Sequence, residues 1–156
     1  MHAQPGDEKK HYSMHSFGAV FAEVHVDPDL GEVHVHRVVA SYGVGRLLNR
    51  KTGRSQLMGG IVWGIGMALM EQTEYDLRNG RPVNANLAEY HVPVNADVRQ
   101  IDVIVVDEDD PHINSLGTKG IGEIGIVGVA AAIANAVWHA TGKRVRELPI
   151  TLDKLI

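Results

Sequence analysis

At 156 residues, 44% apolar and 22% charged, the chain has the length and balance of one globular domain able to bury a core. A formal charge of −4 with no Lys/Arg stripe argues against a nucleic-acid surface, and no window approaches the ~20 apolar residues of a membrane-spanning helix. Without cysteine the chain has no disulfide, thiolate nucleophile, or Cys-ligated zinc or iron–sulfur cluster.

Residues 1–15 read as a polar, mobile lead-in that lacks the apolar stretch of a signal peptide. Its abrupt start suggests part of a longer polypeptide. Residues 17–26, FGAVFAEVHV, and 33–45, VHVHRVVASYGVG, are two strand-like runs around the turn DPDLGE, which predicts a β-hairpin. In EVHVHR the alternation is strict, with Val33 and Val35 to one face and Glu32, His34 and His36 to the other. Two histidines at that spacing can bind a metal, but no third ligand is in evidence, and the pair is read as a solvated polar face.

Residues 51–73 predict a helix of about five turns, with Ser55 as N-cap. Gly59, Gly60, Gly64 and Gly66 interrupt its apolar run, each at a cost of about 1 kcal/mol against alanine. A helix that tolerates them should pack against another backbone or a ligand at close range. Asn79-Gly80 marks a turn, and ANLAEYHVPV reads as short and extended. QIDVIVVDED, 100–109, is the clearest strand, apolar on both faces from Val103 to Val106, which suits an interior position. A second helix is predicted from Glu123 to Thr141 with Gly142 as its stop, and a strand or extended tail closes the chain. The predicted fold is α+β, a two-layer β-β-α-β-α-β domain over residues 16–156.

The loop GTKGIGEIG, Gly117–Gly125, carries four glycines, Lys119 and Glu123. Gly120-x-Gly122-x-x-Gly125 has the dinucleotide pattern. Its context fails, because a polar loop of about a dozen residues separates it from the preceding strand, where the fingerprint follows a strand directly. The second reading uses Glu123 itself. In the first turn of a helix its ionised form is favoured by the dipole, and bare glycines at 120 and 122 leave it uncrowded with backbone N–H groups free for a ligand. That is how a general base is set. A solvated helix-start glutamate has the same pattern.

Several long stretches carry a resemblance: FGAVFAEVHVDPDLGEVHVHRVVASYGVGRLLN, RSQLMGGIVWGIGMALMEQTEYDLRNG, LAEYHVPVNADVRQIDVIVVDEDDPHINSLG, and GTKGIGEIG with its alanine-rich sequel and TGKRVRELPIT. From about residue 16 to 156 the chain resembles, in order and spacing, the C-terminal part of the molybdenum-cofactor-binding subunit of the xanthine dehydrogenase and aldehyde oxidase family, in the manner of bacterial aldehyde oxidoreductases. The resemblance implies that Glu123 is the general base for oxidation of an aldehyde or N-heterocycle with water as oxygen source. It further implies that Gln56 contacts the pterin, and that Gly120, Gly122 and Lys119 belong to the cofactor-binding loop. No protein metal ligand is implied. The implied cofactor is molybdopterin with molybdenum, a cytosine dinucleotide form being common in bacterial relatives. Iron–sulfur and flavin centres are implied only on other domains or subunits.

By the same resemblance the partners are the remainder of the molybdenum subunit, electron-transfer subunits and a small-molecule substrate, in a bacterial cytoplasm or periplasm, and the isolated chain is inactive. Many relatives carry an aspartate where this chain reads ASYGVG, and no role is carried over to Tyr42 or Gly43. The rival reading is a non-catalytic binding or assembly module from a split or truncated subunit, docking on a partner or forming a homo-oligomer through an exposed apolar helix face.

Overall fold

The computed structural model of the chain describes residues 6–156, so Met1–Pro5 of the expected lead-in lie outside the described residues. A short 3-10 turn at Asp7–Lys10 precedes the sheet. The order is then β1 (Phe17–Val26), β2 (Val33–Gly43), α1 (Arg50–Leu69), β3 (Tyr75–Asp76), β4 (Arg81–Pro82), β5 (Gln100–Val105) and α2 (Val129–Thr141). β1 and β2 form the expected antiparallel hairpin, and β5 joins parallel to β2, giving the sheet order β1-β2-β5. A parallel pair needs a crossover, and α1 with the small β3–β4 hairpin lies in that connection. Asn79 and Gly80 make the β3–β4 turn, Gly80 adopting the left-handed φ of +68°.

One core joins the layers. Val38, Ala40 and Tyr42 of β2 pack with Leu57, Ile61 and Ile65 of α1 and with Val129, Ile133 and Val137 of α2, all of them buried. The result is the α+β class. The alternation read over residues 32–36 holds, with Val35 buried and His34 and His36 exposed. Then its phase slips. A β-bulge leaves Glu23 opposite Arg37 and Val24 opposite Val35, with His36 as the extra residue. Core positions therefore pass from Val35 to Val38, Ala40 and Tyr42.

Four local expectations are corrected. α1 starts at Arg50 and its N-cap is Asn49, whose side chain accepts from the amides of Lys51 and Thr52, so Ser55 lies within the helix. Asn49 supplies the acceptor six residues earlier, and asparagine is among the strongest capping residues. β5 is an edge strand, and Ile104 is 53% exposed on it. α2 begins at Val129, after turns that run through residues 122–128, because Gly128 holds φ +88° and breaks the helical path. The closing segment forms no strand. It crosses the end of α1, where the Ile150 amide donates to Ala68 O at 2.8 Å, and ends in a 3-10 turn at Leu152–Lys154.

The glycines of α1 divide by what faces them. A Cβ on Gly60 would lie 2.7 Å from the carbonyl carbon of Gly125, and one on Gly64 would lie 2.5 Å from Val129 Cβ. A Cβ on Gly59 would meet nothing within 4 Å. The close backbone approach expected from the glycine content occurs at position 60, while Gly64 makes room for the Val129 side chain. Gly60→Ala should therefore cost about 1–3 kcal/mol by overpacking. Gly59→Ala should instead stabilise by up to about 1 kcal/mol through helix propensity. Urea midpoints of the two variants test this, and equal shifts would contradict it.

Candidate functional site

The loop from Gly117 to Gly128 is held by contacts from every side. At its start, Gly45 and Thr118 form an isolated β-bridge and the Arg46 amide donates to Gly117 O at 2.8 Å, tying the loop to the end of β2. From the N-terminal segment, Ser16 Oγ donates to Gly120 O at 2.7 Å. From α1, Gln56 Nε2 donates to Gly122 O at 3.0 Å. From β2, the buried Tyr42 hydroxyl donates to Gly125 O at 3.2 Å, and burial raises its pKa above the ordinary tyrosine value. Gly125 lies so close to α1 that a Cβ there would approach Leu57 O to 2.8 Å.

Lys119 supplies an ionic anchor. Its side chain is 4% exposed and its amine contacts a carboxylate oxygen of Glu108 and, at 3.1 Å, Asp110 Oδ2. The same amine donates to His15 O at 3.3 Å, and the other Glu108 oxygen accepts from the Gly45 amide at 2.9 Å. The hydrogen bond from Lys119 is the main reason that Glu108 and Asp110 both sit below the ordinary carboxylate range. Glu108 in turn is the main cause that raises the Lys119 pKa. Lys119 thus spends its donors on two acids and a carbonyl, and it is not among the residues lining the neighbouring cleft. His15, the last residue of the expected lead-in, and Ser16, which follows it, take part in the anchoring.

Glu123 is exposed on a cleft of about 630 Å³ shared with Ser16, Tyr42, Gly120 and Gly122 and walled by apolar Phe17 and Val127. Added Cβ atoms at Gly120 and Gly122 would meet nothing within 4 Å, so the backbone there borders open space. Because α2 starts only at Val129, Glu123 lies outside its first turn. The helix dipole acts mainly within that turn, so the favourable field expected from it is absent. The Glu123 carbonyl instead closes a turn, accepting from the Ile126 amide at 3.1 Å.

The structure therefore brings Glu123, Gly120 and Gly122 together in the cleft, joins Gln56 to the same loop from α1, and directs Lys119 into the ionic anchor. Sequence reasoning missed Ser16, Tyr42, Glu108 and Asp110. Tyr42 carried a signal in the departure ASYGVG, whereas the acids of DEDD gave no sign which of them would meet Lys119. The donor set suits a polar organic cofactor rather than a bare ion. The Gln56 amide retains an acceptor and a second N–H, and the glycine backbone can be approached closely.

The depressed carboxylates stabilise the folded chain above the unfolded carboxylate range, and that contribution is lost as pH falls through their folded values; the raised lysine contributes fully below the ordinary lysine range and loses its effect as pH climbs through its raised value. Lys119→Met should therefore lower the urea midpoint most at neutral pH. The gap to the parent should narrow as the solution is acidified through the carboxylate range. A gap independent of pH would show that the charges contribute nothing.

Residues 2–99 match the family model of the molybdopterin cofactor-binding domain. The chain is 49% identical over 151 residues to the aldehyde oxidoreductase molybdenum-binding subunit PaoC of Escherichia coli, a match covering 97% of this chain and 21% of PaoC. It is 36% identical over 140 residues to the xanthine dehydrogenase molybdenum-binding subunit of Escherichia coli, covering 90% of this chain and 18% of that protein. It also shares the fold of aldehyde oxidoreductase from Desulfovibrio gigas, with a TM-score of 0.77 and 30% identity, across 90% of this chain and 15% of that one. The chain spans about a fifth of the length of these two curated relatives. With the family match running through more than half of the chain and the fold shared as well, the chain belongs to the molybdopterin cofactor-binding domain family, among molybdenum-binding subunits of the xanthine dehydrogenase and aldehyde oxidase type.

Proposed function

We propose that this chain forms part of the cofactor-binding region of a molybdenum hydroxylase that oxidises aldehydes or N-heterocycles with water as the oxygen source, Glu123 acting as general base. The observation that carries the reading is the placement of Glu123 on an open cleft beside two glycines whose missing side chains leave space for a ligand. Gln56 supports it from the other side of the loop. One of its amide hydrogens is committed to Gly122 O, which fixes the side chain and leaves its oxygen and second N–H for a pterin edge. Gly120 and Gly122 would offer backbone amides to the same molecule. Lys119 enters as the residue that holds the loop in shape. The pterin fits this reading in its cytosine dinucleotide form as well as in its simple one.

When bound, molybdopterin supplies the metal that takes up the two electrons released by the substrate. Turning an aldehyde into its acid with water releases two electrons and two protons, and a carboxylate oxygen of Glu123 takes one proton from the water-derived nucleophile. A carboxylate placed for proton transfer is worth about 10²–10⁴ in rate. Its short reach from a pinned loop keeps it in position beside the apolar side chains of Phe17 and Val127.

The PaoC and xanthine dehydrogenase relatives are named as molybdenum-binding subunits, which supports partners in the form of the remaining subunit polypeptide and electron-transfer subunits. Leu48, Trp63 and Val127 are 69%, 59% and 65% exposed, apolar surface that suits such a covering. Without cysteine this chain offers no thiolate ligand for an iron–sulfur centre, which agrees with such centres lying on other domains or subunits. The same apolar surface favours a second reading, a non-catalytic assembly module. Sedimentation separates the two, since a stable oligomer that never takes up molybdenum favours the module.

Glu123→Gln, placed in the longer catalytic subunit, should leave molybdenum and pterin content unchanged and lower turnover by about 10²–10⁴-fold. Near-normal turnover would remove Glu123 from the chemistry. The 156-residue chain alone should show no aldehyde or heterocycle oxidation, and measurable activity would overturn the need for upstream polypeptide.

A further inference from the structure

The sheet carries a second cluster of chemistry-bearing side chains, built from the β1–β2 hairpin. Glu23 and His25 stand two residues apart on β1 and so project from the same face. His36 joins them because it is the extra residue of the bulge, lying between the pairs Glu23–Arg37 and Val24–Val35. Bulges re-aim side chains in this way. The imidazoles of His25 and His36 stack with centroids 4.6 Å apart and planes 10° from parallel. One ligand atom from each of Glu23, His25 and His36 lies within 4.8 Å of the others, and all three residues are exposed.

We propose that Glu23, His25 and His36 form a binding site for a divalent transition-metal ion of the zinc class, two imidazole nitrogens and one carboxylate oxygen serving as ligands and water completing the shell. Imidazole and carboxylate together suit this class of ion, and three protein ligands with an open position make a recognised zinc arrangement. Bond lengths of about 2.0–2.2 Å to nitrogen and oxygen put tetrahedral ligand atoms roughly 3.3–3.6 Å apart. The observed cluster must close by an ångström or so, within reach of side-chain rotation at an exposed site. The competitor is Arg37, whose Nε lies 3.2 Å from Glu23 Oε2 with both side chains about half exposed. Such a pair contributes little and yields readily to a metal. His34 sits opposite His25 in the ladder, but its Nε2 faces Glu32 Oε2 at 3.5 Å.

The site is separate from the cleft. Gly18 borders the cleft, and Glu23 lies five residues further along β1, roughly 17 Å at the rise of a strand. An ion here would staple β1 to β2 across the bulge and takes no part in the reaction proposed for Glu123.

The test is calorimetric titration of the full chain, free of any tag and in a non-chelating buffer, with zinc chloride. Saturable one-to-one binding in the micromolar range is expected, with a raised melting temperature. His25→Ala and His36→Ala should each weaken binding at least about tenfold, while His112→Ala, elsewhere on the chain, leaves it unchanged. Zinc titration of the unsubstituted chain by NMR avoids dependence on variants that fold poorly, and the imidazole resonances of His25 and His36 should move together. No saturable binding, equal binding by the folded His25→Ala/His36→Ala double variant, or resonance changes confined to other histidines would each overturn the proposal.

Discussion

The cleft depends on one close approach, the backbone of Gly60 in α1 against the backbone of Gly125 in the loop. A Cβ on Gly60 would stand 2.7 Å from the Gly125 carbonyl carbon, and one on Gly125 would stand 2.8 Å from Leu57 O. Neither position has room for a side chain. Gln56 precedes Gly60 by four residues and so shares its helix face, which brings the amide to Gly122 O. The contact that excludes a methyl group at 60 also sets the reach of the side chain at 56. Tyr42 completes the arrangement from the sheet by donating to the Gly125 carbonyl.

Two charged residues of this loop, four positions apart, have opposite fates. Lys119 is buried and spends its charge on Glu108 and Asp110. A buried amine without such partners would carry a heavy desolvation cost, so the acids and the lysine are needed together. Glu123 is exposed, with bare glycine on its N-terminal side. Charge on the anchored side holds the backbone, which frees the carboxylate on the open side for a ligand or a proton. Rigidity and access are thus assigned to different residues of one short segment.

Much of this was legible in the residues. The hairpin, the two helices, the α+β class and the tight packing of a glycine-bearing helix followed from period, turn chemistry and the cost of glycine. Glu123, Gln56, Gly120 and Gly122 were singled out from the loop and its resemblance to a family; Glu123, Gly120 and Gly122 line one cleft, and Gln56 reaches the same loop from α1 without lining it. What escaped were features decided by distant partners. The bulge at His36 depends on how β1 and β2 register, and nothing in VHVHR alone reveals it. β5 is apolar on both faces yet lies at a sheet edge, because an apolar run by itself does not tell an edge strand from an interior one. The start of α2 was placed too early because a helical composition hid the left-handed φ of Gly128. The fate of Lys119 turned on Glu108 and Asp110, about ten residues upstream, where four consecutive acids offered no way to choose.

The central claim is that a pinned glycine loop presents Glu123 and Gln56 to one bound molybdopterin. The most direct measurement is a structure of the longer subunit loaded with its cofactor. The account predicts the Gln56 amide in hydrogen-bond contact with the pterin, and the Glu123 carboxylate facing the metal across the space left by Gly120 and Gly122. A cofactor seated elsewhere, with Glu123 turned to bulk water, would contradict it.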